Sequence, residues 1–198
     1  MVFLLAYTDL RREDRTGPSP CTARSLRRVG ADVAVVLNCT PSSARRLRRE
    51  ARYDQLATYS AEVTGTTIDV AVLADCALVV RDGSTPGSVL CDLTVDGKDT
   101  SVTTLDRPAV ELYRVLVRLD EARPLVLIGN TDEDLDDPRT VADVVRAGFV
   151  DTHDVRSSNE PDREPRTSGI LVRGLRSYGD GRYLDPDGCV VHWARLGH

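Results

Sequence analysis

Short apolar runs, separated by turn residues, dominate the chain and predict many β-strands and only a few helices. Runs of about four to eight apolar or alternating residues indicate strands, whereas apolar residues recurring every three or four positions indicate a helix. The predicted strands are 2–7, 34–37, 67–73, 77–80, 88–95, 101–105, 124–128, 149–150, 166–175 and 189–196. The predicted helices are 22–29, 44–52, 108–121 and one that begins at Pro138.

The stretch 123–153 has the clearest succession of elements. An apolar run ends at Gly129, an acidic loop follows, and Asp137 and Pro138 are a good N-cap and first helical residue. Gly148 then supplies the helix stop. Because α/β folds place their chemistry in loops at the carboxyl ends of buried strands, we expect any active site in the loop that follows Gly129.

The remaining turn signals complete the predicted domain. Asp96-Gly97 lies between two β-patterned runs and predicts a hairpin. The polar, proline-containing stretch 155–166 indicates a long surface loop, and 178–185 is interpreted as a turn-rich segment. Strands and helices spread over 198 residues predict a single α/β domain covering 1–198.

Arginine supplies almost all of the positive charge, since Lys98 is the only lysine among 26 basic residues. Abundant Asp together with Arg indicates a GC-rich genome, such as that of a halophile or its virus, and codon bias without physical consequence explains it equally well. The charge is also uneven: residues 1–60 carry +5 and residues 61–198 carry −10. A basic face for an anionic partner would produce this asymmetry.

The cysteines give no sign of a metal site or of disulfides. Five are present, without the close Cys or Cys/His spacing of zinc sites, and an odd number indicates reduced thiols. No segment approaches the ~20 apolar residues of a membrane span, and the run 2–6 is too short for a signal peptide. We therefore expect a cytoplasmic protein.

Several segments together resemble the endonuclease/exonuclease/phosphatase superfamily, the DNase I-like fold. The segment 148–152 is similar to the family's "GFVDT"-like strand, 71–78 to its "gvAvLsr.pl" strand, and 166–175 to its "RIDYILVRGL" strand. The resemblance covers nearly the whole chain. It implies an α/β fold of two mixed β-sheets packed face to face with outer helices, a four-layer sandwich.

The same resemblance implies that the catalytic residues of the family are replaced. Cys39 stands where the family has its metal-binding Glu, and Gly188-Cys189 stand where it has the Asp-His pair that activates water. A thiol is a poor ligand for Mg²⁺, which prefers oxygen. The other replaced positions are Thr8 for Asn, Thr104 for His, Asn130 for Asp and Ser168 for Asp.

Loss of the base, its orienting carboxylate and a metal ligand implies that no efficient hydrolysis remains and no cofactor is needed. An alternative is that Asp9, Asp106 and Asp132 converge at the strand ends and bind Mg²⁺ in a new arrangement. The histidines are interpreted as structural or surface residues rather than catalytic ones; they are His153, His192 and His198.

The predicted helix 44–52 is a candidate contact for anions, although a solvated helix face explains its composition too. Its basic residues are Arg45, Arg46, Arg48, Arg49 and Arg52. No aromatic residue lies between them, so a stacking surface for single strands is not indicated.

Three functions follow from the resemblance and the substitutions. The first is a catalytically degenerate relative of metal-dependent phosphodiesterases, retained as a binding or assembly protein, with a nucleic acid or protein partner at the Arg-rich helix and no membrane contact. The second is a divergent Mg²⁺-dependent phosphodiesterase or nuclease with an Asp-built metal site. The third is a structural protein, for example of a viral particle.

Overall fold

The computed structural model describes residues 2–10, 20–63, 66–80, 90–106, 124–130, 135, 137–153 and 168–198. Within these ranges, twelve strands and three helices form two six-stranded sheets with helices outside. The predicted helix 108–121 and loop 155–166 lie outside the described residues, as does Asp132. In the described part of the chain, every helix is too short or too polar to cross a membrane.

The first sheet holds both termini of the described chain. Its strands are β1 (Val2–Asp9), β2 (Val33–Leu37), β3 (Gln55–Val63), β4 (Thr66–Ala74), β11 (Arg176–Leu184) and β12 (Val190–Gly197). They are arranged in the order β11-β12-β1-β2-β4-β3. β1 and β2 run parallel, and the other neighbours are antiparallel.

The second sheet is built in the same mixed way. Its strands are β5 (Ala77–Val80), β6 (Leu90–Val95), β7 (Lys98–Asp106), β8 (Leu125–Asn130), β9 (Val150–Asp151) and β10 (Ser168–Arg173). They are arranged in the order β5-β6-β7-β8-β10-β9, with β7 parallel to β8. The hairpin predicted at Asp96-Gly97 is confirmed, and both residues have the positive φ of a tight turn, 48° and 76°.

The three helices cover the outer faces of the sheets. They are α1 (Pro20–Val29), α2 (Pro41–Ala51) and α3 (Pro138–Arg146). The predicted N-cap Asp137 is confirmed, since its carboxylate accepts a hydrogen bond from the Arg139 amide at 2.9 Å. α2 begins earlier than predicted because the Thr40 hydroxyl caps it by accepting from the Ser43 amide.

Side-chain alternation divides the interior into three apolar layers, and the middle layer joins the two sheets. Leu5 and Val35 from the first sheet pack there with Val102 and Ile128 from the second. The outer layer on the first sheet receives apolar residues of α1 and α2, and α3 packs on the second sheet through a smaller cluster. The predicted four-layer arrangement with outer helices is therefore confirmed.

The interpretation of 178–185 as turn-rich was wrong, because most of this stretch belongs to strand β11. β11 pairs with β12 along almost its whole length, with a register shift between Ser177 and Gly179. Pairing with a neighbouring strand satisfies its backbone, so its weak strand propensity is overridden by tertiary contacts. Strand β3, which pairs with β4, was also not predicted from the sequence.

Candidate functional site

Four strands finish at one end of the sandwich, and this end is the candidate site. Thr100 Oγ1 lies 3.0 Å from His198 Nε2, so the start of β7 lies beside the end of β12 and therefore beside the start of β1. Because β1 runs parallel to β2 and β7 runs parallel to β8, all four carboxyl ends lie at the opposite end. We refer to this end of the molecule as the cleft end.

In the first sheet, the cleft end presents a pair formed by Asp9 and Asn38. Tyr7 packs between the sheets, and alternation along β1 places Asp9 on the same face two residues later. The Asn38 Nδ2 group donates a hydrogen bond to Asp9 Oδ1 at 2.7 Å. Asn38 reaches it from a left-handed backbone conformation, with φ at 55°, immediately after β2.

In the second sheet, backbone register brings three of the predicted positions together. Asp106 pairs with Asn130, and Asn130 pairs with Ser168 on its other side. Thr104 is completely buried on β7, two residues after the core residue Val102. Strand pairing thus gathers these positions at one end of the second sheet, although Asp106 and Ser168 are 62 residues apart along the chain.

The two cysteines at the expected metal and base positions lie on the helix side of the first sheet and not on its inter-sheet face. Cys39 is fully buried in the outer layer, in the same apolar cluster as Leu47 of α2. Cys189 belongs to that cluster too, and its Sγ donates to the Thr22 hydroxyl of α1 at 3.7 Å. After the left-handed residue Asn38, the chain places Cys39 on the helix side, so neither thiol points between the sheets.

The turn before β12 is fastened to α1 by an ion pair. Arg24 donates from Nε and Nη2 to the two carboxylate oxygens of Asp185 at 3.1 and 2.8 Å, and it also contacts Asp187. The Asp185 side chain is almost fully buried, and the Arg24 guanidinium lowers its pKa to about 2. Gly188 completes the turn with a φ of 89°. The segment corresponding to the family's Asp-His pair is thereby tied to the helical layer.

The three histidines have distinct surroundings. His192 lies stacked on Tyr7, with ring centroids 4.8 Å apart and an angle of 13° between the planes. His153 Nδ1 lies 3.1 Å from a carboxylate oxygen of Asp180, joining β11 to the end of β9. Burial lowers the pKa of His198 from its ordinary value.

The side of the sheet on which His192 lies was not predicted from the sequence. Its alternation with Ala194 and Leu196, which both belong to the core between the sheets, puts it on the inter-sheet face. The apolar residues of this strand carried the necessary signal. However, only the pairing of β12 with β1 shows that His192 lies beside Tyr7, two residues before Asp9 on the same face.

Solved structures with the same architecture identify the fold. No protein-family model matches the sequence, and no curated protein sequence matches it. An endonuclease/exonuclease/phosphatase family protein from Leptotrichia buccalis aligns with a TM-score of 0.71 at 12% identity, covering 99% of this chain and 100% of that one. The chain has the endonuclease/exonuclease/phosphatase fold.

Two further structures agree with this fold. Humanized TDP2 of D. rerio aligns over 100% of this chain and 99% of its own, with a TM-score of 0.68 at 12% identity. The mannosyl-6-phosphatase of Bacteroides thetaiotaomicron aligns over 99% of this chain and 100% of its own, with a TM-score of 0.65 at 10% identity. At these identities the comparison concerns the endonuclease/exonuclease/phosphatase fold alone.

Few metal-binding groups approach one another in this example of the endonuclease/exonuclease/phosphatase fold. Among the side chains that the structure describes, no group of three or more His, Cys, Asp or Glu is arranged to hold a metal ion. The Asp9 carboxylate is the described oxygen donor of the inter-sheet face that fits Mg²⁺ chemistry. A second acid, Asp69, pairs with Ser60 near the end of β2 and has one buried oxygen without a partner in the described region.

The Arg-rich helix predicted from the sequence is α2, on the outer side of the first sheet, opposite the inter-sheet face. All five of its predicted anion contacts are exposed, namely Arg45, Arg46, Arg48, Arg49 and Arg52. Arg46 donates to Glu50 at 2.7 Å, one helical turn later. The structure brings none of the five into contact with the candidate residues of the cleft end.

Proposed function

We propose that the chain is a non-hydrolytic relative of metal-dependent phosphodiesterases, retained as a binding or assembly protein. The observation that carries this proposal is the placement of Cys39 and Cys189 in the layer between the first sheet and its helices. Hydrolysis by the mechanism that the resemblance implies needs a metal-bound carboxylate and a general base directed at one phosphate. Both positions hold thiols directed elsewhere.

The turn before β12 supports the same proposal. Arg24 and Asp185 hold it against α1, so this ion pair opposes a shift of Cys189 toward the space between the sheets. The polar groups on the inter-sheet face are held in place by neighbouring side chains, which supports a role in binding rather than in attack on a phosphate. The Asn38 amide is already bonded to Asp9, and the His192 ring is stacked on Tyr7.

A second candidate function is a divergent Mg²⁺-dependent phosphodiesterase with an Asp-built metal site. Asp9 favours it, because this carboxylate lies on the inter-sheet face at the end of β1. Asp106 ends β7 beside Asn130, at the same end of the sandwich. In such an enzyme, Asp9, Asp106 and Asp132 would bind the ion, which would polarise the phosphate, and Asn38 would orient the Asp9 carboxylate.

A hydrolysis assay separates the two functions. Because the similar structures include an endonuclease/exonuclease/phosphatase family protein and a sugar phosphatase, the substrates are a chromogenic phosphodiester, a phosphomonoester and plasmid DNA, each with Mg²⁺ or Mn²⁺. We expect the wild type to show no turnover above buffer. Metal-dependent turnover that disappears in Asp9→Asn or Asp132→Ala would refute the proposal and establish the second function.

The matched control is Asp187→Asn, which removes an exposed carboxylate on the far side of the first sheet. Turnover that falls equally in this variant would indicate general damage to the fold rather than loss of a metal ligand. A calorimetric titration with Mg²⁺ completes the test, since an Asp-built site predicts binding heat that is absent in Asp9→Asn.

A further inference from the structure

The helical layer on the first sheet has a basic outer surface that is not part of the candidate site at the cleft end. α1 and α2 pack side by side over this sheet. Between residues 20 and 52 the chain has eight arginines and two acids, although its net charge is −5. We define the arginine face as the exposed residues Arg27, Arg28, Arg45, Arg48, Arg49 and Arg52.

The arginines of α2 are arranged as a stripe. Arg45, Arg48 and Arg49 follow the spacing i, i+3 and i+4, which places them along one side of the helix. Arg52 follows as the C-cap residue, with a left-handed φ of 69°. Leu47, by contrast, is completely buried against the sheet. At about 1.5 Å per residue, the helical part of the stripe is about 6 Å long and matches roughly two phosphates of one strand of a duplex.

The arginine face is not neutralised within the part of the chain that the structure describes. The two other arginines of these helices have acidic partners, since Arg24 binds Asp185 and Arg46 binds Glu50. No ion pair with a described acid involves the six residues of the arginine face. Their guanidinium groups therefore remain available to an anionic ligand.

Helix stability accounts for only part of this pattern. Basic residues in a last helical turn interact favourably with the helix dipole, which covers Arg48 and Arg49 of α2 and Arg27 and Arg28 of α1. It does not account for Arg45 in the first half of α2. It also does not require that three arginines follow one side of the helix.

We propose that the arginine face binds the phosphate backbone of duplex nucleic acid without reading its sequence. Guanidinium groups match phosphate geometry, and backbone contacts carry no sequence information. Single strands are bound by stacking on exposed aromatic rings, and neither α1 nor α2 contains an aromatic residue. The surface lies on the outer side of the first sheet, opposite the inter-sheet face, so this inference does not depend on whether the chain hydrolyses phosphodiesters.

The test is fluorescence anisotropy of a labelled duplex of about 20 base pairs, in EDTA and at several salt concentrations. The variant Arg45→Gln/Arg49→Gln removes two members of the arginine face. The control variant Arg139→Gln/Arg176→Gln removes two exposed arginines outside it, for the same change in net charge. Circular dichroism spectra establish that both variants are folded.

We expect the wild type to bind with an affinity that falls steeply with salt. Each lost phosphate contact lowers the slope of log affinity against log salt by about 0.9, so the first variant should lose about 1.8 and the control nothing. Absence of duplex binding, or equal loss in both variants, would overturn the inference. Tighter binding to a single strand would do so too, and more effective competition by polyglutamate would indicate an acidic protein partner instead.

Discussion

The backbone angle φ of Asn38 explains why the side chain of Cys39 does not lie on the face that the strand pattern predicts. Alternation along β2 puts Leu37 between the sheets, and a continued strand would place Cys39 on the same face. Asn38 instead adopts a left-handed conformation, which Asn tolerates better than most residues, and Cys39 enters the outer layer.

Restoring a carboxylate at residue 39 should therefore damage the fold rather than create an enzyme. Cys39→Glu places an acid in an apolar layer without a cation, and we expect the free energy of unfolding to fall by about 3–5 kcal/mol. Cys39→Ala, the matched control, should cost only about 1 kcal/mol. Urea denaturation measures both values. A stable Cys39→Glu variant that gains Mg²⁺-dependent hydrolysis would contradict this account.

Asp185 makes the stability of the protein depend on acidity. Its folded pKa is lowered to about 2 by Arg24, whereas an unfolded Asp has a pKa of about 3.9. A lowered pKa means that the unfolded chain takes up the proton first. The contribution of Asp185 to stability is thus fully present above about pH 5 and disappears as the pH falls toward 2.

Urea denaturation at a series of pH values tests this linkage. Asp185→Asn should be less stable than the wild type near neutral pH, and the difference should shrink as the pH falls through the range between the two pKa values. The control Asp187→Asn removes a more exposed partner of Arg24 and should show a smaller effect. A difference between Asp185→Asn and wild type that does not change with pH would show that the ion pair is not responsible.

At the scale of elements, β11 shows how a neighbour can make a strand out of a weak sequence. Gly181 lies opposite Trp193 in the register with β12, and the indole ring occupies the space where a side chain would begin. Glycine is needed here for close packing and not for an unusual φ. The tryptophan therefore determines that this strand position is glycine.

Gly181→Ala should destabilise the protein by about 1–3 kcal/mol, a typical cost of overpacking. The added methyl carbon would lie 2.7 Å from Trp193 Cζ2, so the ring or the strand must move. Thermal unfolding followed by circular dichroism measures the loss. In a Trp193→Leu background the same substitution should cost much less, and an equal cost in both backgrounds would exclude the clash as its cause.

At the scale of the whole molecule, the two sheets depend on one shared core. Apolar residues of both sheets form the middle layer, so each sheet needs the other to bury its inner face away from water. The hydrogen-bonding contacts between His153 and Asp180 and between Thr100 and His198 join the two sheets. We therefore expect the sheets to unfold together.

Ile128→Ala tests this cooperativity from the second sheet. Ile128 is completely buried in the middle layer, and its truncation should cost about 2–5 kcal/mol. The only tryptophan, Trp193, lies in the first sheet. The urea midpoint of unfolding measured by its fluorescence should therefore fall by the same amount as the midpoint measured by circular dichroism. Val145→Ala, at an exposed helical site, should leave both midpoints nearly unchanged. Separate midpoints for the two signals would contradict a shared core.

Local sequence patterns were enough to predict most of the described strands and helices, and the resemblance predicted the superfamily fold. Apolar periodicity and local signals such as Asp96-Gly97, Asp137 and Gly148 depend on neighbouring residues only, and these predictions were confirmed. The segments that failed, β3 and β11, are strands whose pairing with neighbouring strands outweighs their own propensity.

Which side chains come together in a site depends on how the sheets and helices pack. The sequence aligned Cys39 and Cys189 with catalytic positions, but the direction of each side chain depends on a backbone angle at Asn38 and an ion pair between Arg24 and Asp185. The partners of that ion pair lie 161 residues apart along the chain. A contact at such a distance leaves no local pattern, so the face to which a side chain points emerges only when the sheets and helices are packed.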